Sequence, residues 1–457
     1  MKINRVRVTS LFGIFEHDIP LNEDSGITII IGENGLGKTI ILEAINALFN
    51  EDYIFFRYLE FKEFEFYFDD GEIWRLAKEV KEEDFLLYIS RDSSIKPILK
   101  RKQHKLYQAS YNFNTRMMKE RQNMYRLEAE IELKRKMDRN YFSHKESGFY
   151  DERYDFEREY EYRKMMAMRH HKRMRNGEIS EVNPPKWFSD GISNVRVKLI
   201  ETQRIITAKE TGSDSYVNNL NKCSQELKEM ISIAARKSSL VSSELDSTYP
   251  NRLVKKLRQG SRDSFEELNE ALAKLDERRK LFSSSGLAVK ISDSDLLQID
   301  EKQKDLVNVL KLYIDDSHKK LDPLEGLSKK IKLFKGIINK RFKHKVLEIR
   351  HEEGFVFRST VITNRDGEYD LIPSSKLSSG EQNELILFYK LIFNSNVNDM
   401  ILIDEPELSL HISWQNKFIK DLKEVTSIND VSIVIATHSP DIIDENWDLK
   451  VELKGVE

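Results

Sequence analysis

The chain opens on alternation. Val6, Val8, Phe12, Ile14 and Phe15 stand among polar neighbours at the spacing of a short β-hairpin. The run Ile27 to Ile31, apolar except for Thr28, reads as a buried strand. Past a glycine-rich loop the period changes, and Ile40, Ile41, Ala44, Ile45, Leu48 and Phe49 share one face of a helix. Phe64, Phe66 and Phe68 alternate up to Asp69-Asp70-Gly71, with Trp74 and Leu76 beyond, which predicts a second hairpin turning at Asp-Gly. From about 95 to 177 Pro and Gly nearly vanish, the mark of a helical hairpin, until Asn183-Pro184-Pro185-Lys186 breaks the pattern ahead of a strand, Val195 to Ile200. Helical spacing returns from about 215 to 342, where Leu296, Leu297, Ile299, Leu306, Val309, Leu310 and Leu312 recur at threes and fours without a strict heptad. Val346, Leu347 and Ile349, then Phe355 and Phe357 around Glu353-Gly354, return to strand, and Met400 to Ile403 forms a further apolar strand.

Composition sharpens this outline. In 457 residues, 33% charged side chains and a mean hydropathy of -0.56 suit a globular head carrying long solvated helices, and 39% apolar residues suffice for its core. The apolar runs fall far short of the roughly 20 residues of a membrane span. Met1-Lys2-Ile3-Asn4-Arg5 does not resemble a signal peptide, and one cysteine, Cys223, excludes an intramolecular disulfide, so the expected location is the cytoplasm with no membrane partner. Charge is uneven. Between Lys100 and Arg175, 21 Lys and Arg outnumber 12 Asp and Glu, in a stretch that also holds most of the methionines. That surplus would attract an acidic partner.

Gly32-Glu33-Asn34-Gly35-Leu36-Gly37-Lys38-Thr39 fits the phosphate-loop pattern, and it has the required setting of a buried strand before and a helix after. Gly32, Asn34, Gly35 and Gly37 would turn backbone N–H groups onto the phosphates of ATP. Lys38 would place a charge on the β and γ oxygens, and the Thr39 hydroxyl would ligate Mg²⁺. Asp404 and Glu405 end an apolar strand: Asp404 suits the Mg²⁺ shell and Glu405 the polarisation of attacking water.

With these motifs the chain resembles an ABC-type ATPase of the branch that includes Rad50, SMC, RecF and the OLD-like phage-defence ATPases. Leu377-Ser378-Ser379-Gly380-Glu381-Gln382 resembles the ABC signature, with Ser379 in place of the common Gly. By that resemblance Ser378 and Gly380 contact the γ-phosphate bound to another subunit. Ser409-Leu410-His411 resembles the D-loop, and Ile433 to Pro440 the strand and switch histidine, so that His438 orients water at the γ-phosphate. Glu201-Thr202-Gln203-Arg204 resembles the Q-loop, in which Gln203 completes the Mg²⁺ sphere.

The implied fold is α/β, an ABC ATPase head with mixed sheets plus long helical, coiled-coil-like insertions. Its expected parts are 1–93 (N-terminal lobe with the phosphate loop), 94–177 (basic helical insertion), 178–214 (Q-loop segment), 215–342 (second helical region) and 343–457 (signature, Asp-Glu strand and switch histidine). The composite site implies a homo-oligomer, a dimer closed around ATP or a higher ring. OLD-like nucleases carry a TOPRIM domain after this head, whereas here only a short stretch follows His438. Asp404 to His411, Ile200 to Arg204 and the basic, Met-rich insertion look most like the ATPase subunit of a PARIS-type defence system, with the Septu type close behind. The resemblance implies slow hydrolysis, a separate nuclease effector of TOPRIM type, and a phage protein as trigger. Arg163, Lys164, Arg169, Lys172, Arg173 and Arg175, beside Tyr154, Tyr160 and Tyr162, are the expected contact for an acidic trigger protein or DNA. The competing reading is a Rad50- or RecF-like DNA-repair ATPase that binds DNA.

Overall fold

Alternating and unbroken apolar patterns become two different kinds of sheet. The computed structural model describes residues 1–53, 55–81, 84–91, 94–102, 184–200, 206–207, 217–259, 265–287, 304–364, 367–408 and 410–455. In chain order, β1 (Ile3–Leu11), β2 (Phe15–Pro20) and β3 (Ile27–Ile31) precede the helix Lys38–Phe49. Next come β4 (Glu63–Phe68), β5 (Ile73–Lys81), β6 (Asp84–Arg91) and β7 (Ser94–Lys102), then the helix Lys186–Asn194, β8 (Val197–Ile200) and the short pair β9 (Ile206–Thr207) and β10 (Val217–Asn218). Helices Asn219–Gln259, Phe265–Ser284 and Lys304–Arg341 lead to β11 (Lys345–Arg350), β12 (Gly354–Thr363) and β13 (Tyr369–Ile372). The helix Ser379–Phe393, β14 (Met400–Asp404), the helix Ile412–Asn429, β15 (Ser432–Ala436) and β16 (Lys450–Glu452) complete the order.

Contacts divide the chain into two units, Met1–Pro20 with Ala47–Val195 and Lys454–Glu457, and Leu21–Asn46 with Arg196–Leu453. In the first, six strands form a sheet in the order β2-β1-β4-β5-β6-β7, every neighbouring pair antiparallel. Strand β4 buries every second residue, as expected of a sheet with one face on a core. Phe64 faces Leu76 and Phe66 faces Trp74 across the β4–β5 pair. The core is aromatic: the Trp74 ring centroid lies 4.7 Å from Phe68, 6.1 Å from Phe49, 5.6 Å from Trp187 and 5.3 Å from Phe188. Gly191 lets the helix Lys186–Asn194 approach, since a Cβ there would meet the Trp74 ring at 2.4 Å.

The second unit is built on a five-stranded parallel sheet, β16-β3-β15-β14-β8. Its three inner strands, β3, β15 and β14, are buried almost continuously, the pattern of a parallel sheet covered on both faces. Leu385 to Tyr389 and Leu391 to Phe393 of the helix Ser379–Phe393 belong to the same core, with Phe334, Ile337 and Ile338 of the long helix Lys304–Arg341 and Phe418 and Leu422 of the helix Ile412–Asn429. Strands β11, β12 and β13 form a separate antiparallel sheet, with Leu347 opposite Phe357. Inside this unit Arg341, with its side chain 2% exposed, bridges Glu384 and Asp421 and lies 4.6 Å over the Phe388 ring. Desolvation holds the guanidinium pKa below its ordinary value despite both carboxylates.

Two expected boundaries are corrected. Residues 94–102 are strand β7, pairing with β6, so the antiparallel sheet extends into the segment expected to be helical. The phosphate loop does not belong with the rest of 1–93: Leu21–Asn46 packs with Arg196–Leu453, because β3 is an inner strand of the parallel sheet. The basic insertion expected beyond 102, with Arg163 to Arg175, lies outside the described residues, as does Gln203. Among the described residues no helix is long and apolar enough to cross a membrane.

Candidate nucleotide-binding site

In a parallel sheet every strand delivers its following loop to the same edge, and that edge is where such folds place ligands. Here β3 delivers the phosphate loop, β14 delivers Asp404 and Glu405, and β15 delivers His438. The register is direct: Ile435 pairs with Ile29 and Asp404 with Ala436, so the three loops start at one level.

The loop wraps the lysine. Gly35 and Gly37 have φ of 89° and 87°, which glycine adopts without a side-chain penalty, and Gly32 is hemmed by Leu36 and Leu453, so a Cβ there would lie 3.1 Å from the Leu453 carbonyl oxygen. Asn34 is exposed at the loop tip. Lys38 is 6% exposed, and its Nζ donates to the carbonyl oxygens of Gly32 (2.9 Å) and Glu33 (3.0 Å) and lies 3.4 Å from His438 Nδ1. Burial lowers the Lys38 pKa, against the raising pull of Glu405, Asp404 and Glu407.

Thr39 Oγ1 donates to Asp404 Oδ1 at 3.0 Å. Burial pushes the Asp404 carboxyl up to about 6, with Glu405 and Glu407 adding repulsion and the Thr39 hydrogen bond and Lys38 opposing it. A hydroxyl and a carboxylate side by side form the hard oxygen donor set that suits Mg²⁺, so these two residues fit the ion. Glu405 turns at φ 42°, its N–H donating to Ala436 O at 2.9 Å, and its Oε1 lies 4.0 Å from His438 Nε2. Lys38, Thr39, Asp404, Glu405 and His438, five residues expected to meet, therefore do meet.

The signature residues sit elsewhere in the same unit. Ser378 caps the helix Ser379–Phe393: its Oγ accepts from the Glu381 N–H at 3.3 Å, while Glu381 accepts from the Ser378 N–H at 2.8 Å. Lys345 fixes that carboxylate from β11 at 2.9 Å. Gly380 adds no bulk to this helix tip, which as an N-terminus offers partial positive charge to an anion.

Glu407 was given no role by sequence reasoning, although it stands in the same short string as Asp404. Its Oε2 accepts from the Thr437 hydroxyl at 2.8 Å and its Oε1 from the His438 N–H at 2.9 Å. Spacing carries no signal for it, since an acid after Asp-Glu-Pro reads as one more solvated turn residue.

A P-loop ATPase is the class that this fold and site define. Residues 1–443 match the family model described as an AAA ATPase domain, and the chain belongs to that family. No curated protein matches. Among solved structures, the chain is similar to the Smc head domain with an extended coiled coil, bound to the C-terminal domain of ScpA, from Pyrococcus furiosus, at 12% identity and a TM-score of 0.33, covering 97% of this chain and 91% of that one. It is also similar to the SMC head domain from Thermotoga maritima, at 9% identity and a TM-score of 0.34, covering 100% of both. Likeness this distant adds nothing to the assignment, which rests on the family match and on the site.

Proposed function

We propose that this chain hydrolyses ATP as an ABC-type head, two copies closing around Mg-ATP. The observation that carries the reading is the meeting of Lys38, Thr39, Asp404, Glu405 and His438 at one edge of the parallel sheet. Lys38 binds and neutralises the β and γ phosphates, and the loop amides around Gly35 and Gly37 hold them in place. Thr39 and Asp404, with Gln203 by resemblance, hold Mg²⁺, which supplies charge neutralisation on the phosphates when bound. Glu405 polarises the attacking water and His438 orients it. Ser378 and Gly380 at their helix tip meet the γ-phosphate of the other copy, so ATP joins subunits and hydrolysis loosens them. Light scattering of Glu405→Gln protein with Mg-ATP tests this: a dimer or larger assembly is expected, and a monomer that retains nucleotide would sink the composite site.

The biological role is drawn from the motif strings. Asp404 to His411, Ile200 to Arg204 and the basic, Met-rich segment resemble the ATPase subunits of PARIS-type and Septu-type systems. The protein is accordingly read as the sensor and scaffold of an anti-phage complex, which holds a separate nuclease effector and releases it on meeting a phage protein. Pull-down with the product of the adjacent gene, with and without ATP, tests this role. Capture of a TOPRIM or HNH protein is expected, and ATP-dependent binding of DNA ends with no such partner would overturn it in favour of repair.

A further inference from the structure

Five groups of the site are accounted for by the proposed chemistry, but what holds His438 to its place is not. The ring makes two approaches, to Lys38 Nζ at 3.4 Å and to Glu405 Oε1 at 4.0 Å, and neither is a short hydrogen bond. Its backbone is held far better. Thr437 is fully buried and its N–H donates to Ile30 O at 3.1 Å, which ties the end of β15 to β3. Glu407 then closes the other side, taking the Thr437 hydroxyl on one carboxylate oxygen and the His438 N–H on the other. The Thr437 oxygen in turn accepts the Ser439 N–H at 3.0 Å, and Ser439 Oγ donates to Gln415 Oε1 at 2.8 Å.

Glu407 itself is anchored in the short turn Pro406–Leu408, directly after the acid pair. Its two oxygens therefore span from the loop that carries Asp404 and Glu405 to the loop that carries His438. A carboxylate accepting two donors from adjacent residues fixes both distance and direction, which a single bond would not do. We propose that Glu407 is a positioning residue for ATP hydrolysis, a two-point clamp that sets the His438 backbone, and through it the imidazole, against Glu405 and the phosphate lysine. The inference rests on the ATPase reading of this site.

Hydrogen bonding, rather than charge, performs the clamping, and this separates the variants. Glu407→Gln keeps both links, because its Oε1 accepts the His438 N–H while its amide donates to the Thr437 oxygen. Glu407→Ala keeps neither. With MgATP, the Ala variant is expected to lose about tenfold or more in kcat while nucleotide Kd moves less than about threefold, and the Gln variant to stay within about threefold of the parent in both. Combining Glu407→Ala with His438→Ala is expected to cost no more than His438→Ala alone, since one acts through the other.

Hydrogen exchange of the peptide spanning 437–439, without nucleotide, reads the clamp independently of turnover. About tenfold faster exchange is expected in Glu407→Ala and none in Glu407→Gln. Unchanged exchange in Glu407→Ala, a Gln variant as slow as the Ala variant, or additive losses with His438→Ala would each overturn the clamp. If Glu407→Ala does not fold, Thr437→Val removes one arm and is expected to give a smaller kcat loss of the same kind, and parental kcat and exchange in that variant would overturn the clamp. A parent protein without turnover, or one that His438→Ala does not slow, would instead refute the ATPase reading, with the exchange result still deciding the clamp.

Discussion

The two units solve the same packing problem with different chemistry. The antiparallel unit buries one face of its sheet, and wide rings fill the space: Phe64, Phe66 and Trp74 are all fully buried. The parallel unit buries both faces of its sheet, and runs such as Ile27 to Ile30 and Met400 to Ile403 are aliphatic apart from Thr28 and Met400, because each side chain meets another layer. The difference bears on function. Antiparallel strands send successive loops to opposite ends, whereas the parallel strands send β3, β14 and β15 to one edge, and there the charged groups gather. One unit is thus expected to respond to mutation in stability, the other in chemistry as well.

The sharpest separation comes from Glu405→Gln, which preserves shape and removes the group that polarises water. A loss of about a thousandfold in kcat is expected, about 4 kcal/mol of barrier, with an unchanged unfolding midpoint. Phosphate release and a urea titration on one sample check both halves. Trp74→Ala should behave in the opposite way. It removes the hub of the aromatic core and is expected to cost about 3–5 kcal/mol of stability, while kcat per folded molecule stays within about twofold. A large kcat loss in folded Trp74→Ala protein would erase the contrast between the units.

Arg341→Met probes the parallel unit by stability alone. Removing the guanidinium leaves Glu384, fully buried, and Asp421 without their cation, and stranded buried acids of this kind cost about 3 kcal/mol. A Glu384→Gln, Asp421→Asn, Arg341→Met triple variant is expected to recover much of that loss, since the orphaned charges go with the cation. Urea midpoints of the two proteins provide the comparison.

Much of this arrangement was legible in the chain. Strand β3 and its phosphate loop, the Asp-Gly hairpin of β4 and β5, and the helices within 215–342 follow directly from periodicity and turn chemistry. What escaped has physical reasons. Strand β7 carries Lys96, Lys100, Arg101 and Lys102, and a charged strand at the edge of a sheet resembles a solvated helix in composition. The phosphate loop follows the first strands in sequence, but its strand pairs with β15 and β16, which lie some 400 residues on, and no local pattern reports pairing at that distance. The Arg341 bridges and the Glu407 clamp share one cause: a charged residue on a helix or turn reads as solvent-facing, and only the fold brings its partners to it.

Cys223 offers the smallest effect and the most direct view of the parallel unit. As the only cysteine of the chain it is a single reporter, 4% exposed within the same core cluster as Ile401 and Ile433. Burial, with Glu226 adding repulsion, pushes its thiol up to about 12. At pH 8 the reactive thiolate is then only about one part in ten thousand, roughly a thousandfold less than for an ordinary thiol. Labelling by a disulfide reagent should therefore be slow and should track opening of the core rather than thiol chemistry. Trp74 and Trp187 report on the antiparallel unit, so thiol reactivity and a fluorescence signal from those two rings can be followed along one urea titration. Trp414→Phe and Trp447→Phe replacements confine the fluorescence to that unit. Coincident transitions would mean that the two cores melt as one cooperative structure, whereas a fluorescence change well before Cys223 reacts would mean that the aromatic core opens first while the nucleotide edge stays built.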